Sequence, residues 1–286
     1  MDLLLHPQTK KQLDAFLKQP VHALLIEGQP GSGKGSVAAY IATDVLGLDV
    51  DKLPSYSFFL HIEPVNGTIS IETIRSIQEF TKLKTIGTRS LRRVVLVENA
   101  HNMTLEAQNA FLKLLEEPPA DTVIILTAPH NQTLLPTIYS RVQRIQLKSL
   151  EKNSLLDYFS EHPKTEVERA FYMSNGQIGL MQALLTNDEE HPLAIGIEDA
   201  KKILSMPVHA RLTSIDQWAK NRDKLPDLLQ ALQRVCRAAL VQAAEKGQNL
   251  QIQKTHSALS QIVVAEAALK HNPNTKLLLS DLMLNI

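Results

Sequence analysis

The feature that most constrains this chain is a nine-residue loop, Gly28-Gln29-Pro30-Gly31-Ser32-Gly33-Lys34-Gly35-Ser36. It is caught between the apolar run Ala23-Leu24-Leu25-Ile26-Glu27 and a helical stretch opening with Val37-Ala38-Ala39-Tyr40. Glycines permit backbone conformations that a Cβ would block, so successive N–H groups can converge on phosphate oxygens. The helix that follows points its positive end at the same anion, and Lys34 is placed to reach the β- and γ-phosphates. Strand before and helix after are the context this chemistry requires. The loop therefore predicts a parallel α/β domain with a nucleotide at the strand ends.

Four further apolar runs sit between helical patterns, at 58–62, 94–98, 123–127 and 142–147. Their length and β-branching read as buried strands of one parallel sheet, with helices as crossovers. The α/β domain is expected to span 1–147. Beyond it the strand signal stops. A small helical domain is expected over 148–206, and an all-α domain of long helices over 207–286. In the latter, Leu225, Leu228, Leu229, Leu232, Val235, Cys236, Ala239 and Leu240 share one helical face, and Leu259, Ile262, Val263 and Leu269 repeat the pattern.

Composition narrows the functional classes. Thirty basic and thirty acidic residues cancel, so the total charge gives no footprint for nucleic acid, and Arg75, Lys82 and Lys84 read as a solvated helix face. Cys236 is the single cysteine. It excludes an internal disulfide and a Cys-rich zinc site, and is expected as a buried core thiol. The ten histidines show no metal-like spacing, and Trp218 is expected to pack between the late helices. The first residues lack the basic segment of a signal peptide, and no run of eighteen apolar residues occurs. A cytoplasmic protein with no membrane partner is expected.

Two positions depart from a working ATPase. The residue after Lys34 is Gly35, so the usual hydroxyl ligand for Mg²⁺ is missing, and Ser36 is left as a candidate through water. The third strand run ends as Val97-Glu98-Asn99-Ala100-His101. Glu98 suits the Mg²⁺-holding role. Asn99 stands where the water-activating base belongs, and a neutral amide accepts no proton near pH 7. Slow or absent hydrolysis by this chain alone is expected. Gly28, Pro30, Gly31, Ser32, Gly33, Lys34, Gly35 and Ser36, with Thr127 at the end of the fourth run, form the nucleotide-binding set.

Val97 to Thr104, Asn109-Ala110-Phe111-Leu112-Lys113-Leu114-Leu115-Glu116-Glu117-Pro118-Pro119 and Leu134-Leu135-Pro136-Thr137-Ile138-Tyr139-Ser140-Arg141-Val142-Gln143 closely resemble the AAA+ clamp-loader subunits. Ile62-Glu63-Pro64, Ile71 to Arg75 and the late segment Asn272 to Leu279 extend the likeness over nearly the whole chain. The resemblance implies a hetero-pentamer with other loader subunits, opening a ring-shaped sliding clamp and closing it on primed DNA, with ATP at subunit interfaces, 148–206 as the lid domain and 207–286 as the collar domain that holds the subunits together. It makes Arg141, of the Ser-Arg motif, an arginine finger to the neighbour's nucleotide. In the hydrolysing subunits of the family a four-cysteine zinc module, an acidic pair and a lid arginine occur. This chain has no cysteine there, Glu98-Asn99, and Leu180 after Gly176-Gln177-Ile178-Gly179. Those losses, with Arg141 kept, fit the delta-prime type. An active gamma/tau-like ATPase and an adenylate-kinase-type kinase remain as alternatives. The second needs an arginine-rich acceptor region, and residues 37–88 hold only Arg75.

Overall fold

A computed structural model describes residues 3–85, 91–130, 134–269, 271 and 273–286. The chain divides into two compact units, Met1–Leu150 and Glu151–Ile286.

The first unit is built on five parallel strands: β1 (Ala23–Glu27), β2 (Phe59–Ile62), β3 (Arg93–Val97), β4 (Thr122–Ala128) and β5 (Gln143–Gln146). Their order is β2-β3-β4-β1-β5. Each of the five expected runs is a strand, with ends displaced by at most one residue. Parallel neighbours need crossovers. Among the described residues the helices are α1 (Pro7–Lys18), α2 (Lys34–Leu46), α3 (Ile71–Lys82), α4 (Leu105–Glu116) and the short α5 (Pro136–Tyr139). β1, β3 and β4 are buried along their whole length, which is why they read as continuous apolar runs rather than as alternating ones.

Alternation still sorts the residues onto two cores. Leu24, Ile26, Val94, Leu96, Val123 and Ile125 pack with Phe16, Val37 and Ile41 of α1 and α2. Leu25, Val95, Val97, Ile124 and Leu126 pack with Ile74, Ile77, Phe111 and Leu115 of α3 and α4. Side-chain caps start three of these helices: His6 Nδ1 accepts the N–H of Gln8, Ser70 Oγ that of Thr73, and Thr104 Oγ1 that of Ala107.

The strand that was expected to open at Val94 opens at Arg93, whose side chain is buried. Its guanidinium donates to the carbonyls of Thr81 and Leu83, satisfying orphan groups at the end of α3, and lies 5.4 Å from the Phe80 ring centroid.

The second unit is helical: α6 (Lys152–Tyr158), α7 (Lys164–Ser174), α8 (Ile178–Thr186), α9 (Pro192–Ser205), α10 (Val208–Thr213), α11 (Ile215–Lys220), α12 (Leu225–Glu245), α13 (Asn249–Leu269) and α14 (Thr275–Asn285). The unit begins at 151, three residues past the expected 148. The chain does turn at Met206-Pro207, between α9 and α10, but a single core runs across that point. Leu180, Ile197 and Ile203 belong to it together with Leu228, Leu232, Ile262, Leu279 and Met283. Helical periodicity tells which face is apolar, not which helix will cover it.

Cys236 is buried in this core as expected, and burial pushes its thiol up to about 11. Trp218 packs at its edge. Val263 departs from expectation. It stands 47% exposed beside Val264, because the turn of α13 that buries Ile262 and Ala265 carries both valines outward. No described helix is long and apolar enough to cross a membrane.

Candidate nucleotide site and arginine motif

β1 delivers the chain to the loop and α2 carries it away. Gly31 and Gly33 sit at φ of 85° and 83°, in the left-handed region where a side chain is strained. Gly28 is fixed by crowding instead. A Cβ there would lie 2.5 Å from Ser32 Oγ and 3.1 Å from Leu147 Cβ. Gly33 is the N-cap of α2, with no side chain to cap the first turn, which leaves that end of the helix to an anion. Lys34 Nζ donates to the carbonyls of Gly28 at 2.9 Å and Gln29 at 3.1 Å, bridging the start of its own loop. Burial pulls its ammonium down to about 8, and the nearby Glu98 carboxylate opposes that shift.

The end of β3 lies beside this loop. Glu98 Oε1 comes within 3.1 Å of where a Cβ on Gly35 would be. A side chain at 35 would require the Glu98 carboxylate to give by a few tenths of an ångström. Ser36 is one helical step of about 100° further on and is exposed. Gly35 and Glu98 are therefore brought together, and among the described residues no hydrogen bond joins Ser36 to either. Asn99 holds a left-handed backbone, φ 49°, and its N–H donates to Thr127 Oγ1 at 3.0 Å. Thr127, buried on β4, ties the ends of two strands together beneath the loop. The His101 imidazole is pushed below its usual value, first by burial and then by the Lys34 ammonium.

Two neighbours of Glu98 were not anticipated. His61 Nε2 lies 3.3 Å from Glu98 Oε1 and 3.7 Å from Glu63 Oε1. The hydrogen bond to Glu98 raises the imidazole's pKa; burial opposes this, and the charges of Glu98 and Glu63 add to it. The pairing register that sets His61 opposite Leu96 on β3 brings the strand ends side by side. Only knowledge of the sheet order would have revealed it.

Arg141 follows α5 and leads into β5. Its guanidinium donates to Glu116 Oε1 at 2.8 Å, to the Thr137 carbonyl at 3.0 Å and to Ser140 Oγ at 3.1 Å. About a third of its side chain is exposed, and it lines a shallow surface cleft with Val21, His22, Glu116 and Val142. The two motifs that carried the family resemblance thus touch each other. Behind them, Arg144 on β5 donates through Nε at 2.8 Å and through a terminal nitrogen at 2.7 Å to Glu27 Oε2. The Glu27 side chain is 2% exposed, and the guanidinium stacks 5.0 Å from the Tyr139 ring centroid. Burial raises the Tyr139 phenol, with the Glu27 charge as the second cause. In the second unit, Leu180, which follows Gly179, is fully buried in its own core.

Comparison with known proteins agrees with this anatomy. The family described as "DNA polymerase III, delta subunit" matches residues 5–151, just over half of the chain. The DNA polymerase III subunit delta' of Pseudomonas aeruginosa is 29% identical over 67% of this chain and 64% of its own length. That of Bacillus subtilis is 32% identical over 49% of this chain and 46% of its own. The chain thus spans from about half to just under two thirds of the length of these curated relatives. A gamma-subunit-related DNA polymerase III protein from Thermotoga maritima shares the fold, with a TM-score of 0.56 at 22% identity and 97% coverage of both chains. An AAA+ P-loop domain, a helical second unit and a family match across the loop, Glu98 and the Ser-Arg motif place this chain in the DNA polymerase III delta-subunit family, as a clamp-loader subunit of the delta-prime type.

Proposed function

We propose that this chain acts within a hetero-pentameric clamp loader, binding ATP with little or no hydrolysis of its own and lending Arg141 to a neighbouring ATPase subunit as a finger in trans. The complex so formed would load a sliding clamp onto primed DNA during replication. The observation that carries the reading is Asn99. An intact phosphate loop stands beside a strand end whose base position holds a neutral amide, with its N–H already engaged by Thr127. Arg141 supports the other half, since its partners Glu116, Thr137 and Ser140 all lie outside the loop.

ATP suits the residues present: the glycine loop, the uncapped start of α2 and Lys34 form an anion cradle. Mg²⁺ is matched in part. Glu98 offers a carboxylate, and position 35 offers no oxygen. The loss of the lid arginine at Leu180 further removes a cation that would sense the nucleotide. Val263 and Val264, exposed on α13, supply apolar surface for packing against other subunits through the helical region.

Turnover by the isolated chain tests the first half. Saturating ATP should be bound while hydrolysis stays below about 0.01 per second, far under the range usual for enzymes. Steady turnover near 1 per second would instead make it an active loader ATPase. Reconstitution with the cognate loader subunits should give a defined complex, and failure to assemble would sink the loader assignment.

Lys34 adds a pH signature. Its free-state value of about 8 must rise when a triphosphate binds, because the anion favours the charged form. ATP affinity should therefore be flat up to about pH 8 and then fall by up to tenfold per unit. At pH 8.5, titration calorimetry in buffers of different ionisation enthalpy should report uptake of roughly 0.7 proton per ATP. No uptake would mean that Lys34 does not meet the phosphates.

A further inference from the structure

We propose that His61, Glu63 and Glu98 form a binding site for a divalent transition-metal ion, zinc being the best match, at the strand ends beside the phosphate loop. Among the described residues these three are the group whose potential ligand atoms gather, all within 4.8 Å of one another. The donors are one imidazole nitrogen and two carboxylate oxygens, a set that suits zinc, and Mg²⁺ takes oxygen ligands instead.

The spacing agrees with that class. Ligand atoms about 2.0–2.1 Å from a tetrahedral ion lie roughly 3.3 Å from each other. His61 Nε2 stands 3.3 Å from Glu98 Oε1 and 3.7 Å from Glu63 Oε1. Three protein ligands leave a fourth position for water or a phosphate oxygen. Two structural reasons place the ligands there. Gly35 contributes no hydroxyl and lets the Glu98 carboxylate come within van der Waals reach of α2, while Ser36 faces solvent. His61 lies on the edge strand β2 and Glu63 just past its end, and both reach towards the residue that follows β3. A cation held here would join the sheet edge to the nucleotide site through ligands at the ends of β2 and β3 rather than from the loop.

The proposal needs no nucleotide, so it stands or falls separately from the loader reading. The experiment is equilibrium dialysis of the full chain against Zn²⁺ without ATP, with metal counted by elemental analysis, and Co²⁺ as a spectroscopic probe. Wild type should hold one Zn²⁺ per chain and give the visible absorption of four-coordinate Co²⁺. His61→Ala and Glu63→Gln, both at exposed positions and checked for unchanged melting temperature, should each weaken that binding by at least about tenfold. Millimolar Mg²⁺ should not displace the ion. Absence of stoichiometric zinc, zinc binding indifferent to both substitutions, or displacement by Mg²⁺ would each overturn the site.

Discussion

Arg141→Ala should lower the clamp- and DNA-stimulated ATPase of the reconstituted complex by about 10³-fold, the lower end of what an arginine finger supplies. The chain's own stability should hardly change. The pair that Arg141 makes with Glu116 is half in solvent, with side chains 35% and 52% exposed, and such pairs contribute about 0–1 kcal/mol. The same small figure sets the cost of withdrawing the guanidinium from Glu116 and turning it towards a phosphate, where a charge-assisted bond in a drier interface outweighs it. Arg141→Lys should recover little, because a point charge replaces a planar fork of donors. The readout is steady-state hydrolysis by complexes of verified stoichiometry. Activity within about threefold of wild type would remove the finger, leaving Arg141 as a surface residue of the Leu-Glu-Glu-Pro-Pro contact.

How far this arrangement could be read from the chain depended on where each contact lies in sequence. The loop was legible because strand, glycines, lysine and helix follow one another without a gap. Asn99 was legible because it sits next to Glu98 at a strand end that its own apolar run announces. His61 and Glu63 were not. Their meaning depends on β2 lying beside β3, and apolar runs carry no record of strand order. Glu27 read as the last residue of a buried strand, but its counter-ion is Arg144, 117 residues later. Arg93 was missed because a charged residue at the head of an apolar run looks like the solvent-facing flank of the strand. Its burial is tolerable because α3 ends where its carbonyls can take the guanidinium, with the Asp121 carboxylate 3.7 Å away. In the second unit, amphipathic spacing found the apolar stripe of α12 and the burial of Cys236. It misplaced Val263, since a helix rich in Val and Ala on several sides offers more than one plausible stripe.

Arg144→Met should destabilise the first unit by about 3 kcal/mol, the low end of the range for breaking a buried ion pair. The reason is the asymmetry of the pair. Arg144 is half exposed and can be solvated, whereas the Glu27 side chain is 2% exposed, takes both bonds on Oε2 and has no partner for Oε1. Removing the guanidinium strands a carboxylate inside the sheet, and the desolvation of that group is the cost. Chemical denaturation followed by fluorescence and circular dichroism would measure it, with the transition of each unit fitted separately because two units need not unfold as one. The double variant Glu27→Met/Arg144→Met should return to within about 1 kcal/mol of wild type, since replacing both charges by apolar groups removes the stranded one. A single variant costing under 1 kcal/mol, or a double variant no better than the single, would show that the pair does not hold this edge of the sheet. Nucleotide binding should weaken along with stability in the single variant. Glu27 is the residue before Gly28, and Arg144 lies three residues after Arg141. β1 and β5 pair directly, with Leu25 opposite Arg144. One ion pair therefore fixes both the base of the phosphate loop and the strand that carries the arginine motif.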